Sequence, residues 1–126
     1  MKRFTVFFIL VAVLRLAGCS ADDRRVTSRD VLKQNEDADI LKYEGFIYSN
    51  ATDLEWFQEV KDRIQKGEEI GKIKKATTSS LFFSNFSATK LPKGTVLYDT
   101  NDGYTGTIYV ETEDGKVLYY IQLLEG

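Results

Sequence analysis

Turn residues, several of them glycines, divide the sequence after residue 38 into short runs of aromatic and β-branched residues, and this division constrains the fold more than any other feature. Residues 40–43 and 46–49 are two such runs on either side of Glu44 and Gly45. This order predicts a β-hairpin in which Gly45 takes the positive φ of the turn. The last third of the sequence predicts an antiparallel meander, with strands at 95–98, 107–112 and 117–123 and turns at 101–103 and 114–115.

One amphipathic helix is predicted between these β segments. Thr52 and Glu55 are spaced as a capping box. Apolar residues follow at helical spacing on one face, at Leu54, Phe57, Val60 or Lys61, and Ile64. Lys66 and Gly67 are typical of a helix C-terminus. A strand is predicted next at 68–76, where Gly71 either weakens the strand or marks a bulge.

These segments predict a small α+β domain, with one amphipathic helix and a small antiparallel sheet or half-open β-barrel. The turn at Lys93, Gly94 and Thr95, with the glycine-turned hairpin after it, resembles the C-terminal end of a bacterial SH3-like barrel. The chain length after residue 18 suits one core and not two.

The first nineteen residues have the order of a bacterial secretory signal: basic residues, an apolar run at 4–14, and small residues before a cysteine. The apolar run is too short to cross a bilayer, which needs about 20 helical residues. The sequence Leu16-Ala17-Gly18-Cys19 resembles the lipobox of bacterial lipoproteins. This resemblance implies cleavage between Gly18 and Cys19 and attachment of diacylglycerol to the sulfur, with acyl chains such as palmitate. The alternative is a chance cysteine behind an ordinary signal peptide.

Three regions are therefore expected: a lipoprotein signal peptide at 1–18, a lipidated flexible tether at 19–37, and a folded extracytoplasmic domain at 38–126. Half of the tether residues after Cys19 are charged, and few are large and apolar. Such a segment buries too little apolar surface to offset the entropy of ordering the chain. A short helix at 28–35 is the alternative for part of this segment.

Charge and composition exclude several classes of function. Removing residues 1–18 leaves 14 of the 17 basic residues and all 19 acidic ones, a net charge of −5. This balance disfavours nucleic acid as a partner. It also indicates that the overall charge of the domain does not hold it to an anionic membrane. The sequence has no histidine, and Cys19 is its one cysteine. It thus lacks the commonest general base and metal ligand, so we expect no enzyme activity, metal or cofactor.

The remaining catalytic candidates are carboxylates. Glu68 and Glu69 are adjacent on a predicted strand and therefore point to opposite faces. Asp99 and Asp102 start a segment with a faint likeness to a calcium loop, but position 110 is valine where that loop needs glutamate. A hairpin turn is the preferred interpretation.

Three features are candidates for an interaction surface. Lys72, Lys74 and Lys75 form a basic cluster that could meet lipid headgroups or wall polymer, although a solvated strand edge is the favoured interpretation. The apolar residues of the segment 77–89 could enter the membrane or hold a partner, although core packing is favoured for all of them: Leu81, Phe82, Phe83 and Phe86. Trp56 lies off the helical apolar stripe, so partial exposure is expected.

Residues 88–98, together with Tyr48-Ser49-Asn50-Ala51, resemble a pattern in small, mostly uncharacterised lipoproteins of low-GC Gram-positive bacteria. The resemblance would cover residues 38–126 and implies an envelope location without a known reaction. The sequence therefore predicts a monomeric, lipid-anchored, non-enzymatic binding or accessory module at the extracytoplasmic face of the cell membrane. Its partners would be the membrane and an envelope protein or peptide. The alternative is an immunity or stress-protection lipoprotein that sequesters a membrane-active peptide.

Overall fold

The computed structural model describes residues 25–100 and 106–124 of the chain. The described helices are α1 (Ser28–Gln34), α2 (Glu55–Gln58) and a 3-10 helix (Lys61–Arg63). The described strands are β1 (Ile40–Tyr43), β2 (Phe46–Asn50), β3 (Lys66–Lys72), β4 (Lys75–Ala76), β5 (Ser87–Ala88), β6 (Val96–Thr100), β7 (Thr107–Glu111) and β8 (Val117–Gln122).

All of these strands join one curled, eight-stranded sheet with the order β3-β6-β7-β8-β2-β1-β5-β4. Neighbouring strands are antiparallel except for the short β4–β5 pair, which is parallel. The described residues thus combine α and β structure, as predicted. They are mostly β, however, and the sheet is larger than the small one expected.

The two predicted β features with the clearest turn chemistry are confirmed. Tyr43 and Phe46 are register partners across the β1–β2 hairpin, and Glu44 and Gly45 between them have φ values of 49° and 83°. This is the pair of positive φ angles that a tight hairpin turn requires. Strands β6, β7 and β8 form the predicted meander.

Ile73 and Lys74 connect the two ends of the sheet, which curls into a half-barrel. The Ile73 N–H donates a 2.9 Å hydrogen bond to the Thr95 carbonyl, and the Gly94 N–H donates to the Ile73 carbonyl at 2.8 Å. The next residue, Lys74, donates its N–H to the Phe86 carbonyl at 2.8 Å. One side of this short connection therefore binds the start of β6, and the other binds the start of β5.

Three groups of buried side chains hold the sheet. The first fills the concave face of the curl: Leu41, Tyr48, Ile73, Ala88, Leu91, Leu97, Ile108, Val110 and Tyr120. The second lies under α1: Ala38, Ile40, Ile47 and Phe83, with Val31, Leu32 and Leu123 against them. The third lies under α2 and the 3-10 helix: Ala51, Phe57 and Ile64, with Val60, Tyr119 and Ile121 against them.

The flexible tether predicted at 19–37 is corrected in its second half, because α1 belongs to the folded body. Thr27 and Asp30 form a capping box at the start of α1, and Val31 and Leu32 pack against the second buried group. Val31 and Leu32 supply the apolar surface that this helix buries. The charged composition of the segment did not indicate this burial.

The long amphipathic helix predicted from Thr52 to Lys66 is also wrong. The segment contains only one α-helical turn and a 3-10 turn. The Thr52 hydroxyl does not cap a helix, because it accepts a 2.9 Å hydrogen bond from the Tyr119 N–H of β8 and donates to Asn50 Oδ1 at 2.6 Å. The Thr52 hydroxyl therefore makes its hydrogen bonds with β8 and Asn50 instead of forming the predicted capping box.

Several predictions fall on residues that the structure does not describe. The signal peptide, the cleavage position at Gly18 and Cys19, and the turn at 101–103 all lie outside the described residues. In the part of the chain that is described, no helix has the length and apolar character needed to span a membrane.

Candidate binding surface

Five aromatic rings form a continuous row across the convex face of the sheet; we call them the aromatic row. The Trp56 and Phe57 ring centroids are 5.7 Å apart, and those of Phe57 and Tyr119 are 5.1 Å apart. The row continues from Tyr119 to Tyr109 at 5.6 Å and from Tyr109 to Tyr98 at 6.2 Å. Most of these contacts are edge-to-face, so ring edges and ring faces alternate along the surface.

The register of the meander creates this row. Tyr98 of β6 is the register partner of Tyr109 of β7, which in turn pairs with Tyr119 of β8. Side chains directly opposite one another in adjacent strands lie on the same face and touch. All three tyrosines are partly buried. Phe57 of α2 is buried and extends the row, whereas Trp56 at the end is 55% exposed.

The ammonium group of Lys66 lies at the other end of the aromatic row. The Lys66 ammonium lies 4.3 Å from the centroid of the Tyr98 ring and forms a 2.7 Å ion pair with Glu111. The hydrogen bond from Lys66 to Glu111 raises the pKa of the lysine. The arrangement shows that this end of the row accommodates an ammonium group between an aromatic face and a carboxylate.

An open groove of about 540 Å³ adjoins Tyr98 at this end. Three carboxylates line it, those of Glu111, Glu113 and Asp114, and Lys93 is the one lysine among its lining residues. Towards the other end of the row, burial raises the pKa of Tyr119, with further contributions from Tyr109 and Asp62. Glu55, Glu59 and Asp62 on α2 and the turn that follows it are all exposed. Acidic side chains therefore lie at both ends of the aromatic row, together with Lys61 and Arg63 at the α2 end.

The segment 77–89 divides into buried and exposed aromatic residues. Phe83 is 5% exposed in the second buried group, and Phe86 packs against the first. For these two the predicted core packing is confirmed. For the two residues before them it is wrong, because Leu81 is 71% and Phe82 is 85% exposed. We call Leu81 and Phe82 the apolar tip.

The predicted lysine cluster lies on the same part of the molecule. Lys72, Lys74 and Lys75 are exposed around the β3–β4 connection. The Lys74 ammonium lies 5.1 Å from the centroid of the Phe86 ring, which brings one member of the cluster against the loop that carries the apolar tip.

The carboxylate candidates form no reactive pair in the described residues. Asp99 Oδ1 accepts a 2.6 Å hydrogen bond from the Glu68 N–H and so holds β3 against β6, while Asp102 lies outside the described residues. Among the described residues, no group of three or more acidic, histidine or cysteine side chains could hold a metal ion.

Sequence reasoning placed Trp56 on the surface but missed Tyr98, Tyr109 and Tyr119. The available signal was their position in three successive strands of a predicted meander, which becomes a row only when the hairpin registers are known. Comparisons with protein-family models, with curated proteins and with solved structures gave no match for this chain.

Proposed function

We propose that the protein is a lipid-anchored, non-enzymatic binding module on the extracytoplasmic face of the cell membrane, and that the aromatic row is its ligand surface. The lipobox-like sequence ending at Cys19 supports the anchor. Arg25, where the described structure begins, follows Cys19 by six positions, and six steps along the chain span at most about 20 Å. A lipidated Cys19 would thus hold the domain close to the headgroups.

The ligand class follows from the Lys66 contact, which is the single observation that carries the proposal. An ammonium group already sits on the Tyr98 ring beside Glu111, and further carboxylates line the adjoining groove. Because Lys66 occupies the Tyr98 ring, a cationic peptide segment would place its own lysine or arginine side chains on the other rings of the row and its apolar side chains between the rings. We therefore propose an extended, cationic, amphipathic peptide as the ligand.

Titration with a synthetic lysine and leucine peptide would test the aromatic row. Fluorescence of Trp56 reports binding at its exposed end, and a peptide with glutamate in place of lysine is the charge control. We expect Tyr109→Leu to weaken binding about fivefold, because an exposed cation–π contact contributes about 1 kcal/mol. Phe82→Ser, an equally drastic change outside the row, should leave the affinity unchanged. Equal affinity of both peptides, or of the Tyr109→Leu variant and the native chain, contradicts the proposal.

The anchor requires a separate measurement. We expect the mature chain to carry a diacylglyceryl mass on Cys19 and to float with membranes, whereas Cys19→Ala abolishes the modification. An unmodified, cleaved chain in the culture medium would show an ordinary secretory signal instead.

A role in immunity or stress protection is the second candidate, favoured by the acidic side chains at both ends of the aromatic row. A domain that captures cationic amphipathic peptides near the bilayer would lower the concentration of membrane-active peptides there. Deleting the gene should then increase sensitivity to a panel of such peptides, and a copy carrying Tyr109→Leu should restore resistance less well than the native copy. Unchanged sensitivity after deletion would rule out protection and leave peptide binding to be judged by titration.

The SH3-like arrangement of the C-terminal strands stays a prediction, supported by the β6–β8 meander. The absence of enzyme activity is likewise part of the proposal. Turnover of an envelope substrate by the purified protein, lost on changing a carboxylate, would contradict it.

A further inference from the structure

The apolar tip is the largest exposed apolar feature in the described part of the chain that the proposed ligand surface does not use. Phe82 is 85% exposed and adopts a φ of 59°. Left-handed backbone is unfavourable for a residue with a bulky side chain, and exposure of a phenyl ring to water is unfavourable as well. The next residue, Phe83, is buried under α1, so the base of the loop is fixed while Leu81 and Phe82 project.

The tip lies beside the point where the folded body begins. The Arg25 guanidinium donates a 3.5 Å hydrogen bond to the Gly45 carbonyl and lies 4.5 Å from the centroid of the Phe46 ring. From the loop, Asn85 Oδ1 accepts a 2.8 Å hydrogen bond from the Gly45 N–H. One β-turn thus connects the first described residue with a loop residue that follows Phe82 by three positions. A lipid anchor at Cys19, six residues before Arg25, would bring this side of the domain to the bilayer.

The stretch of sequence that contains the tip is basic. Residues 70–98 contain five lysines and no acidic residue, whereas the remainder of the chain after residue 18 has nine basic and nineteen acidic residues. Lys42 reaches the loop from β1, and its ammonium donates a 3.2 Å hydrogen bond to the Phe83 carbonyl. Lys42 and Lys74 thus place two ammonium groups against the loop of the apolar tip, where they complement anionic headgroups, whereas Lys93 lines the groove beside Tyr98.

We propose that Leu81 and Phe82 insert into the outer leaflet of an anionic bilayer, as a second membrane contact beside the lipid anchor. The lysines contact the headgroups while the two apolar side chains enter the acyl boundary. The position of the tip relative to the anchor depends on the proposed lipidation of Cys19, but the tip's own affinity for lipid does not. A single anchor leaves the domain free to rotate, whereas two contacts restrict its orientation and with it the direction in which the aromatic row faces.

Quenching of a single indole by brominated lipids measures the insertion directly. The lipidated full chain is reconstituted in vesicles of phosphatidylcholine and phosphatidylglycerol, first as the double variant Trp56→Phe and Phe82→Trp. The native chain, with its one tryptophan at Trp56, is the matched control. We expect brominated acyl chains to remove most of the indole emission of the double variant and to shift the remaining emission to the blue. We expect little change for the native chain.

The same variants, unlipidated and added to preformed vesicles, separate the tip from the anchor. We expect quenching of the double variant to persist in anionic vesicles and to be lost in pure phosphatidylcholine. A further Leu81→Ser change should reduce it without affecting folding, because Leu81 is exposed. Intact mass reports the modification of Cys19 independently.

The outcomes distinguish the two proposals. An unmodified Cys19 with a quenched indole would remove the anchor and leave the tip as the membrane contact. A modified Cys19 with no quenching in either preparation would overturn insertion and leave the anchor. Crosslinking of the tip to a protein in native membranes, with no quenching by brominated lipid, would assign the tip to a protein partner. That result would overturn the proposal.

Discussion

The ring of Phe86 lies directly over the backbone of Gly71. A Cβ atom built at Gly71 would be 2.4 Å from Phe86 Cε1, closer than any side-chain atom can approach. Gly71 has a φ of 151° and sits at a register irregularity between β3 and β6. The bulge expected from the sequence at this glycine therefore lets the phenyl ring pack against bare backbone.

Gly71→Ala should lower the free energy of unfolding by about 3 kcal/mol, because the methyl group must displace a packed ring at an unfavourable φ. Gly115→Ala is the matched control, since Gly115 has a φ of 85° but no atom of the described residues lies within 4 Å of an added Cβ. The control should lose only about 1 kcal/mol. Urea unfolding of the two variants measures both values, and equal losses would show that backbone strain alone explains them.

Phe82→Gly should raise the free energy of unfolding by about 0.5–1 kcal/mol, because glycine adopts a positive φ without strain and the lost side chain makes little contact. Leu81→Gly removes a comparably exposed side chain from a residue without a positive φ. It should be destabilising by a similar amount. Thermal unfolding of both variants checks the prediction, and a lower Tm for Phe82→Gly would contradict it.

Ser87→Ala should stabilise the protein by about 1 kcal/mol. Ser87 is fully buried, and its hydroxyl has no hydrogen-bond partner among the described residues, so the substitution removes an unsatisfied polar group. Thr89→Val is the contrasting variant, because the Thr89 hydroxyl accepts from the Ile40 N–H at 2.9 Å and donates to the Ala38 carbonyl at 2.7 Å. That change should cost about 2 kcal/mol. A destabilised Ser87→Ala variant would mean that the hydroxyl is satisfied in solution.

Stability should fall in alkaline solution. Burial raises the pKa of Tyr120 far above its usual range, and Asp39, which accepts a 2.7 Å hydrogen bond from the tyrosine hydroxyl, raises it further. Above pH of about 10 the unfolded chain releases this proton while the folded chain retains it. The stabilisation is therefore complete below that pH and should decline above it by about 1.4 kcal/mol per pH unit.

Tyr120→Phe tests this assignment. Urea midpoints measured from pH 8 to pH 11 should show a shallower alkaline decline for the variant than for the native protein. Some decline should remain, because burial also raises the pKa of Tyr48. An unchanged slope would assign the alkaline sensitivity to other groups.

Much of the sheet could be predicted because its signals are local. A turn such as Glu44–Gly45 needs positive φ angles that few residues adopt, and the alternation in β7 places Ile108 and Val110 on one face whatever surrounds them. The start and length of α2 could not be predicted, because the Thr52 hydroxyl can either cap a helix or accept a hydrogen bond from the backbone of β8. That choice depends on Tyr119, a residue far away in the sequence.

The sequence alone determined the first hairpin, the strands of the C-terminal meander, the lipobox-like N-terminus, and a composition without histidine. These properties depend on backbone preferences and on residue identity, which act within a few positions along the chain. Only the tertiary structure decided that Phe83 is buried and Phe86 partly buried while Phe82 is exposed, and that Tyr98, Tyr109 and Tyr119 form one row. Burial and cross-strand register depend on contacts between distant segments, and the closure of the sheet determines those contacts.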